Sequence, residues 1–191
     1  MAQSRQTSEQ PVKLAVPVGE RDHVIGASDA PVTLVEYGDY ECPTCLRAYP
    51  IVKRLRAELG HSLRLIFRHF PQSNVHPHAS LAAQAAEAAG AQGKYWEMHD
   101  QLFEHQDDLI ADASPTTFAL RIPGLEIYKF EADVSSERFA ERVRADHAGG
   151  VSSGVTRTPT FFINGLRYDG QMTFAALLDA LRGTVADAQT S

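Results

Sequence analysis

The only two cysteines of the 191-residue chain stand three positions apart, at Cys42 and Cys45, in the segment DYECPTCLRAYP. Thiols at this spacing can form a structural disulfide, supply half of a zinc site, or act as a redox pair. Structural zinc needs four ligands, and the two cysteines supply only two. His76 and His78 are the best candidates to complete the set, but they flank Pro77 and lack a zinc-binding helical spacing. We therefore expect no metal and place these histidines at the surface or at a helix cap.

Strand-like and helix-like segments alternate around the two thiols. Residues 32–37 are β-branched and aromatic and predict a buried strand. From residue 43 to residue 59 apolar residues recur at helical spacing, Gly60 ends the segment as a C-cap would, and Pro50 predicts a kink. Residues 63–67 predict a second strand. A strand, a helix and a strand in this order form a βαβ unit, so the two strands should be parallel.

Cys42 falls where the first strand passes into the helix. A helix N-terminus has unpaired N–H groups and about half a positive charge, and both stabilise a thiolate. Cys42 should therefore be the acidic, reactive thiol. Cys45 lies one turn further on the same face, within reach of a disulfide but more buried. This arrangement predicts thiol–disulfide exchange, in which Cys42 attacks, a mixed disulfide forms and Cys45 releases it.

The rest of the chain predicts a helical insert, a hairpin and a last helix. Two short strands, TPTFFING and LRYDG, are joined by Asn164-Gly165, the strongest short-range hairpin signal. An amphipathic helix is expected over residues 173–182. Before the hairpin we expect an insert of four or five helices. Helix signals occur at residues 79–89, at residues 94–105 and at Ser114 followed by Pro115. A further capping signal at residues 135–138 should begin a helix that Gly149 and Gly150 end.

Length and composition agree with one globular domain. The chain can bury a sizeable core, and 43% of its residues are hydrophobic and 22% are charged. We expect a flexible N-terminal arm over residues 1–22, a single domain over residues 23–184, and a C-terminal tail over residues 185–191. The helical insert should cover residues 75–152, to within a few residues at each end.

Charge and hydropathy limit the partners and the compartment. A formal net charge of −6 without a basic stripe argues against nucleic acid. No segment reaches the ~20 apolar residues of a membrane span. The N-terminus shows no signal peptide, which predicts a cytoplasmic protein, or an extracytoplasmic one if a leader is missing. A permanent disulfide is not expected in the reducing cytoplasm, so the redox pair is favoured over the structural disulfide.

The sequence resembles the DsbA-like thiol:disulfide oxidoreductases of the thioredoxin superfamily, from about residue 23 to residue 181. The segment GDYECPTC follows a buried strand, as it does around the redox pair of that family. Glu36 precedes Cys42 by six residues, where the superfamily carries a buried acid, and Pro50 follows it by eight, where the family's active-site helix is kinked. The segment GVTRTPTFFING resembles the one that holds the family's cis-proline, here Pro159.

The resemblance implies an α/β thioredoxin fold, with a central mixed sheet, flanking helices and an all-helical insert between the βαβ and ββα halves. It places Glu36 beneath the redox pair, where the carboxylate would exchange a proton with Cys45 through water. A cis Pro159 would expose the backbone of Thr158 to an extended substrate strand. By the residues alone, Glu36 could face solvent from a sheet edge, and Pro159 could be an ordinary proline at a strand start.

The substrate site implied by the resemblance consists of Pro43, Thr44, Thr158 and Pro159. One departure is the pair Pro43-Thr44 between the cysteines, because the strongly oxidising bacterial enzymes carry Pro-His there. An extreme redox potential is therefore not expected.

The sequence thus predicts a dithiol–disulfide oxidoreductase that acts on protein or peptide thiols. The chemistry resides in two sulfurs, so no cofactor is expected, and a redox partner enzyme or glutathione would recycle the pair. Oxidase, reductase and isomerase remain open, and the lack of a secretion signal favours reduction. The alternatives are a non-catalytic binding or scaffold domain with a thioredoxin fold and a zinc-held structural module. An assay of Cys42 reactivity and a metal measurement would distinguish them.

Overall fold

The computed structural model describes residues 11–112 and 114–189. Its centre is a five-stranded mixed sheet with the strand order β1-β3-β2-β4-β5. The strands are β1 (Val24–Ile25), β2 (Val32–Gly38), β3 (Leu63–His69), β4 (Thr160–Ile163) and β5 (Leu166–Tyr168). The helices are α1 (Pro43–Leu59), α2 (Ala79–Gly90), α3 (Tyr95–Glu104), α4 (Gln106–Asp112), α5 (Pro115–Ala119), α6 (Ile127–Ser135), α7 (Ala140–Ser152) and α8 (Phe174–Gln189), with a 3₁₀ turn at Gly60–Ser62 after α1.

The sheet confirms the βαβ unit and the hairpin. β2 pairs in parallel with β3 and antiparallel with β4, so it is the central strand of the sheet. Every residue of β2 is buried, because helices and chain segments cover both faces. β4 and β5 pair antiparallel, and Asn164 and Gly165 at their turn have φ angles of 46° and 82°. These positive angles are those of the tight hairpin turn that Asn-Gly favours.

Different elements cover the two faces of the sheet. On one face, Leu34 of β2 packs with Val52 and Leu55 of α1 and with Leu177 and Leu181 of α8. The insert extends this layer with a second core in which the alanines of α2 and the aromatic residues of α3 surround the region of the two cysteines. Burial of these apolar side chains is the main stabilising contribution to the fold. It also places the insert directly against the start of α1.

Residues 11–22 lie across the other face and the hairpin edge. The Leu14 amide donates to the Gly165 carbonyl at 2.8 Å, and the Arg167 amide donates to the Val12 carbonyl at 2.9 Å. Leu14 and Val18 pack against the apolar side chains of that face. This part of the expected N-terminal arm is therefore attached to the domain, while residues 1–10 lie outside the described residues. The division of the chain into arm, domain and tail otherwise stays a prediction.

The helical insert differs from the expectation in two details. Within the described residues it has six helices, α2 to α7, instead of four or five. α7 begins at Ala140 and continues through Gly149 and Gly150, which were expected to end it. A Cβ atom on Gly150 would lie 2.6 Å from the Phe70 ring, so this glycine permits close packing of α7 against the end of β3.

Two further differences concern the ends of the chain. α8 reaches Gln189, so residues 185–189 of the expected tail are helical. The short strand β1, which the sequence did not predict, pairs antiparallel with β3. Among the described residues no helix combines the length and the apolar character that a bilayer crossing requires.

Candidate active site

The two cysteines occupy the start of α1 on the sheet side. Cys42 is the N-cap residue with an extended backbone, and Pro43 is the first residue of the helix. Proline suits this position because its missing N–H would have no helical partner there. Both cysteines are thiols, and Cys42 is 5% exposed whereas Cys45 is fully buried. The strand-to-helix junction therefore leaves one thiol slightly exposed and buries the other completely.

The two thiols have opposite acidities. The pKa of Cys42 is lowered to about 5, chiefly by the hydrogen bond from the Cys45 thiol. Burial opposes this shift, while Thr158 and the backbone N–H groups of Cys45 and Thr44 add to it. Burial raises the pKa of Cys45 well above its usual value, and so does its hydrogen bond to Cys42. The predicted order of reactivity agrees with this difference, although the neighbouring thiol contributes more than the helix N-terminus.

Glu36 lies in the interior on the central strand β2. Its sheet neighbours are Phe67 of β3 and Phe161 of β4, and its exposed fraction is 4%. Burial and the nearby Cys42 charge raise its pKa from 4.5 to about 8. The Glu36 charge in turn raises the pKa of Cys45. Glu36 therefore belongs to the electrostatic environment of the thiol pair and does not face solvent from a sheet edge.

A narrow cleft connects Glu36 with the junction of α1 and α3. Lys53 and Arg56 of α1 and His99 and Asp100 of α3 line it, and it has room for about one water molecule. His99 accepts or donates at its Nδ1 atom with the Tyr40 hydroxyl, 3.1 Å away. Burial lowers the pKa of His99 to about 3, so the imidazole is neutral at physiological pH. The cleft thus brings charged side chains of α1 and α3 close to the buried carboxyl group.

The segment before β4 lies beside Cys42. The Thr158-Pro159 peptide bond is cis, and the Cys42 thiol is 3.5 Å from the Thr158 carbonyl. Among the described residues no acceptor is found for the Thr158 amide N–H. Pro43 is exposed and Thr44 half-buried, and Thr44 and Pro159 line the same groove. The structure therefore places all four predicted substrate-site residues beside the two cysteines.

Asp39 supports the site in a way that the sequence did not reveal. Its carboxylate accepts hydrogen bonds from the Glu41 amide at 2.8 Å and from the Gln72 amide at 2.9 Å, and it lies 2.8 Å from His76 Nδ1. Gln72 also accepts a hydrogen bond from the Thr158 hydroxyl at 3.1 Å. Asp39 and Gln72 thus link the β2–α1 turn to the segment that carries Pro159.

Two more contacts tie the insert to the redox turn. The buried Gln106 side chain of α4 donates to the carbonyls of Tyr40 at 2.7 Å and Cys42 at 3.2 Å. His78, which precedes α2, lies 3.0 Å from the Glu41 carboxylate through its Nδ1 atom. His76 and His78 therefore pair with acidic residues beside the site, and His78 is the N-cap residue of α2, as expected of a helix cap. Asp39 and Glu41, on either side of Tyr40, were the only sequence signal for these contacts. Their histidine partners are more than 30 positions away, so the sequence could not identify them.

A separate buried cluster holds the residues best arranged for a metal. His69, Glu87 and Asp146 place ligand atoms within 4.8 Å of one another, and neither cysteine belongs to this group. The Arg142 guanidinium already contacts Asp146 at 2.8 Å and Glu87 at 3.5 Å. A guanidinium supplies the positive charge that two buried carboxylates need, so an ion-pair network accounts for the cluster.

Comparison with solved structures finds the same fold in other proteins. BdbD from Bacillus subtilis matches with a TM-score of 0.78 at 22% identity, over 86% of this chain and 93% of that chain. A thioredoxin-like oxidoreductase from Silicibacter pomeroyi matches with a TM-score of 0.72 at 25% identity, over 91% of this chain and 95% of that one. The α-DsbA1 protein of Wolbachia pipientis matches with a TM-score of 0.79 at 18% identity, over 93% of this chain and 96% of that one.

Sequence comparison finds relatives that are much longer proteins. The Na⁺/H⁺ antiporter NhaA 1 of Salinispora arenicola is 44% identical over 180 residues, which are 94% of this chain and 27% of the antiporter. The NhaA antiporter of Herminiimonas arsenicoxydans is 41% identical over 93% of this chain and 29% of its own length. The chain thus spans less than a third of these curated relatives. A thioredoxin family model matches residues 19–182. The chain therefore belongs to the thioredoxin family, and its fold with a helical insert is that of the DsbA-like thiol–disulfide oxidoreductases.

Proposed function

We propose that this protein exchanges disulfides with protein or peptide thiols through the pair Cys42 and Cys45. The observation that carries the proposal is the opposed acidity of two thiols in mutual contact, with a pKa of about 5 for Cys42 and a raised pKa for Cys45. A thiolate is the attacking species in disulfide exchange, and at neutral pH Cys42 is one. A scaffold domain would have no need for this difference.

The exchange proceeds in two displacements. The Cys42 thiolate attacks one sulfur of a substrate disulfide, a mixed disulfide forms, and the other substrate sulfur leaves as a thiolate and takes up a proton. Cys45 then loses its proton and attacks the Cys42 sulfur, which releases the second substrate thiolate. The substrate disulfide has gained two electrons, and the protein pair has become a disulfide. In reverse, the protein disulfide accepts two electrons from a substrate dithiol.

Glu36 is the group that we assign to the proton of Cys45. Its pKa of about 8 makes it a competent base near neutral pH, whereas an ordinary glutamate would be too weak. A water molecule would carry the proton between the carboxylate and the thiol. In the reverse direction the protonated Glu36 returns the proton to Cys45. The cleft then allows Glu36 to equilibrate with solvent without exposing the thiol.

Substrate binding uses the backbone before β4. The Thr158 N–H lacks an acceptor among the described residues, and its carbonyl lies beside the Cys42 thiol. An extended substrate segment can pair with these groups as an added strand, and main-chain hydrogen bonds provide affinity without demanding one sequence. Pro43, Thr44 and Pro159 would contact the substrate on either side of its cysteine. This geometry supports protein segments as substrates over small thiols.

The direction of exchange follows from the stabilised thiolate. A low pKa of Cys42 favours the reduced protein over the disulfide form, because only the reduced form contains the thiolate. The oxidised protein should therefore transfer its disulfide readily to a substrate dithiol, which oxidises the substrate and reduces the protein. This argument opposes the preference for reduction that the N-terminal sequence suggested. A measured reduction potential is the test of direction.

The proposal is tested by trapping. Cys45→Ser removes the resolving thiol and leaves Cys42 able to attack, so incubation with an unfolded, disulfide-containing protein should give a one-to-one adduct that a reductant dissolves. The matched variant Cys42→Ser should give no adduct. Formation of equal adducts by both variants, or by neither, would contradict the assignment. In the second case the scaffold alternative would replace it.

A further inference from the structure

A groove of about 540 Å³ extends from the start of α1, beside the two cysteines, toward the β4–β5 hairpin. It begins at Thr44 of α1, passes the Thr158-Pro159 segment, and ends at β5. Phe161 and Met172 provide apolar surface in it, and hydroxyl and backbone groups provide polar surface. An extended chain that pairs with Thr158 would enter this groove with the residues next to its cysteine. The side chains that line the groove therefore determine which substrate segments fit.

The charged residues of the groove are not balanced. Arg167 lies 2.8 Å from Asp169, so this cation and this anion neutralise each other. Arg157 is exposed and lines the groove, and across the described ranges its guanidinium has neither a hydrogen bond nor an ion pair. The groove therefore carries one unpaired positive charge, directly before Thr158 in the chain.

A second exposed cation lies on α1, the helix that begins at the redox pair. Arg47 of α1 is exposed and donates a hydrogen bond to the Thr44 hydroxyl at 3.1 Å. It forms no ion pair with any acidic residue that the structure describes. The acidic residues of the redox turn, Asp39 and Glu41, are buried and already pair with His76 and His78. Arg47 and Arg157 are thus two exposed cations without an acidic partner among the described residues, although the whole chain has a net charge of −6.

We propose that the groove selects extended peptide segments with an acidic side chain close to the reacting cysteine, and that Arg157 is the residue that recognises it. This inference rests on the proposed exchange activity and names its substrate class. A guanidinium can bind a carboxylate through two parallel hydrogen bonds, a geometry that a lysine cannot reproduce. Because Arg157 has no internal partner, it gives up no existing ion pair when it binds the substrate.

The size of the effect follows from the exposure of Arg157. Exposed ion pairs contribute up to about 1 kcal/mol, which corresponds to about a fivefold change in rate or affinity. Replacing the acidic side chain by a basic one exchanges attraction for repulsion, so acidic and basic peptides should differ about tenfold. Salt screens exposed charges, and the difference should shrink as the ionic strength rises.

The test uses three extended peptides, each with one cysteine blocked as a thionitrobenzoate disulfide and flanked by Asp, Gln or Lys. Attack by the Cys42 thiolate releases coloured thionitrobenzoate, and Cys45 then releases the peptide thiol. Each rate is divided by the rate of the same peptide with dithiothreitol, which removes intrinsic differences in peptide reactivity. The readout is the ratio of the Asp rate to the Lys rate within one protein.

The variants are chosen to have matched charge changes. In Arg157→Glu the ratio should invert, and in Arg157→Lys it should fall about twofold because the paired hydrogen bonds are lost. Lys129→Glu changes the charge equally on the exposed face of α6 and should keep the wild-type ratio. Equal ratios in wild type and Arg157→Glu would overturn the inference and leave the exchange activity standing. If the wild type reacts with none of the three peptides faster than Cys42→Ser does, the exchange activity itself is overturned.

Discussion

At the scale of single residues, the acidity of Cys42 depends mainly on one neighbour. The Cys45 thiol donates a hydrogen bond to Cys42, and this contact is the largest contribution to the lowered pKa. The same bond raises the pKa of Cys45, since a thiol that donates its proton holds it more tightly. The two side chains are therefore a coupled pair, and a change in either one alters the reactivity of the other.

This coupling predicts different effects for two substitutions of Cys45. Cys45→Ala removes the donor and should raise the pKa of Cys42 by about one to two units, the value of a hydrogen bond to a charged group. Cys45→Ser keeps an O–H donor at the same place and should shift the pKa much less. The pH profile of Cys42 alkylation measures both. Identical midpoints in the two variants would show that the helix N-terminus, not Cys45, stabilises the thiolate.

Glu36 provides a second prediction at this scale. Its pKa of about 8 means that the carboxylate needed to accept the Cys45 proton forms progressively up to that pH. In the mixed disulfide Cys42 carries no charge and burial alone raises the pKa of Glu36, so the rate at which Cys45 resolves this intermediate should rise with pH and level off once Glu36 is fully ionised. In Glu36→Gln the rate should be lower and this step in the profile should be missing. A wild-type profile in the variant would contradict the assigned role.

The same residue has a separate effect on stability. The folded-state pKa of Glu36 lies above its ordinary value of 4.5, so the folded protein holds a proton that the unfolded chain loses. The unfolding free energy of the wild type, measured relative to that of Glu36→Gln, should therefore fall by about 1.4 kcal/mol per pH unit from pH 4.5 to about 8, and this comparison cancels the opposite contribution of Cys42. Glu36→Gln cannot lose this proton and should lack that slope. Denaturant unfolding of the reduced proteins at a series of pH values compares the two.

At the scale of elements, a buried ion network joins the sheet to the insert. Glu87 of α2 lies 3.0 Å from His69 of β3 and 3.0 Å from His23, and 3.5 Å from Arg142 of α7. Burial alone would raise the pKa of Glu87, but its hydrogen bonds to His23 and His69 hold it well below its usual range. Three separate parts of the chain therefore converge on one carboxylate beneath the insert.

Glu87→Gln should destabilise the protein by about 3 kcal/mol at pH 7, because it removes the buried carboxylate that His23, His69 and Arg142 all contact. The sign of the pH dependence follows from the lowered pKa. The stabilisation by Glu87 is complete above pH 4.5 and is lost as the pH falls below that value, so the difference between variant and wild type should narrow in acid.

The matched control for this variant is Glu141→Gln on α7. Glu141 contacts Arg144 at 2.9 Å, but both side chains are largely exposed. Its loss should change the unfolding free energy by less than about 0.5 kcal/mol. Comparable losses in the two variants would mean that burial does not strengthen the Glu87 network.

At the scale of the whole molecule, the thiolate sets the balance between the oxidised and reduced protein. A nucleophile with a pKa of about 5 is almost fully ionised at pH 7, whereas that of thioredoxin, with a pKa of about 7, is half ionised. This difference should make the potential about 50 mV less negative than thioredoxin's ~−270 mV. Equilibration with glutathione at pH 7 measures it. A potential at or below that of thioredoxin would favour reduction of substrates and contradict the proposed direction.

Local patterns in the sequence correctly determined the elements that carry the redox pair. The β-branched run before Cys42, the helical spacing after it, and Asn164-Gly165 in the hairpin each predict a structure from neighbouring residues. These predictions are confirmed because strand, helix and turn preferences act over a few positions of the chain. The boundary of α7 was predicted wrongly for a related reason. Gly150 normally favours a helix end, but here it permits packing against Phe70, a residue 80 positions away.

Only the tertiary structure decided how the site is completed. Thr158 is 116 positions from Cys42, yet its carbonyl contacts the reactive thiol. Asp39 binds His76 from 37 positions away, and the unpaired charge of Arg157 becomes visible only when all its neighbours are known. A strand pattern likewise could not show that Glu36 lies on the central strand. These properties depend on which distant segments pack together, and packing is determined by burial over the whole chain, not by the spacing of nearby residues.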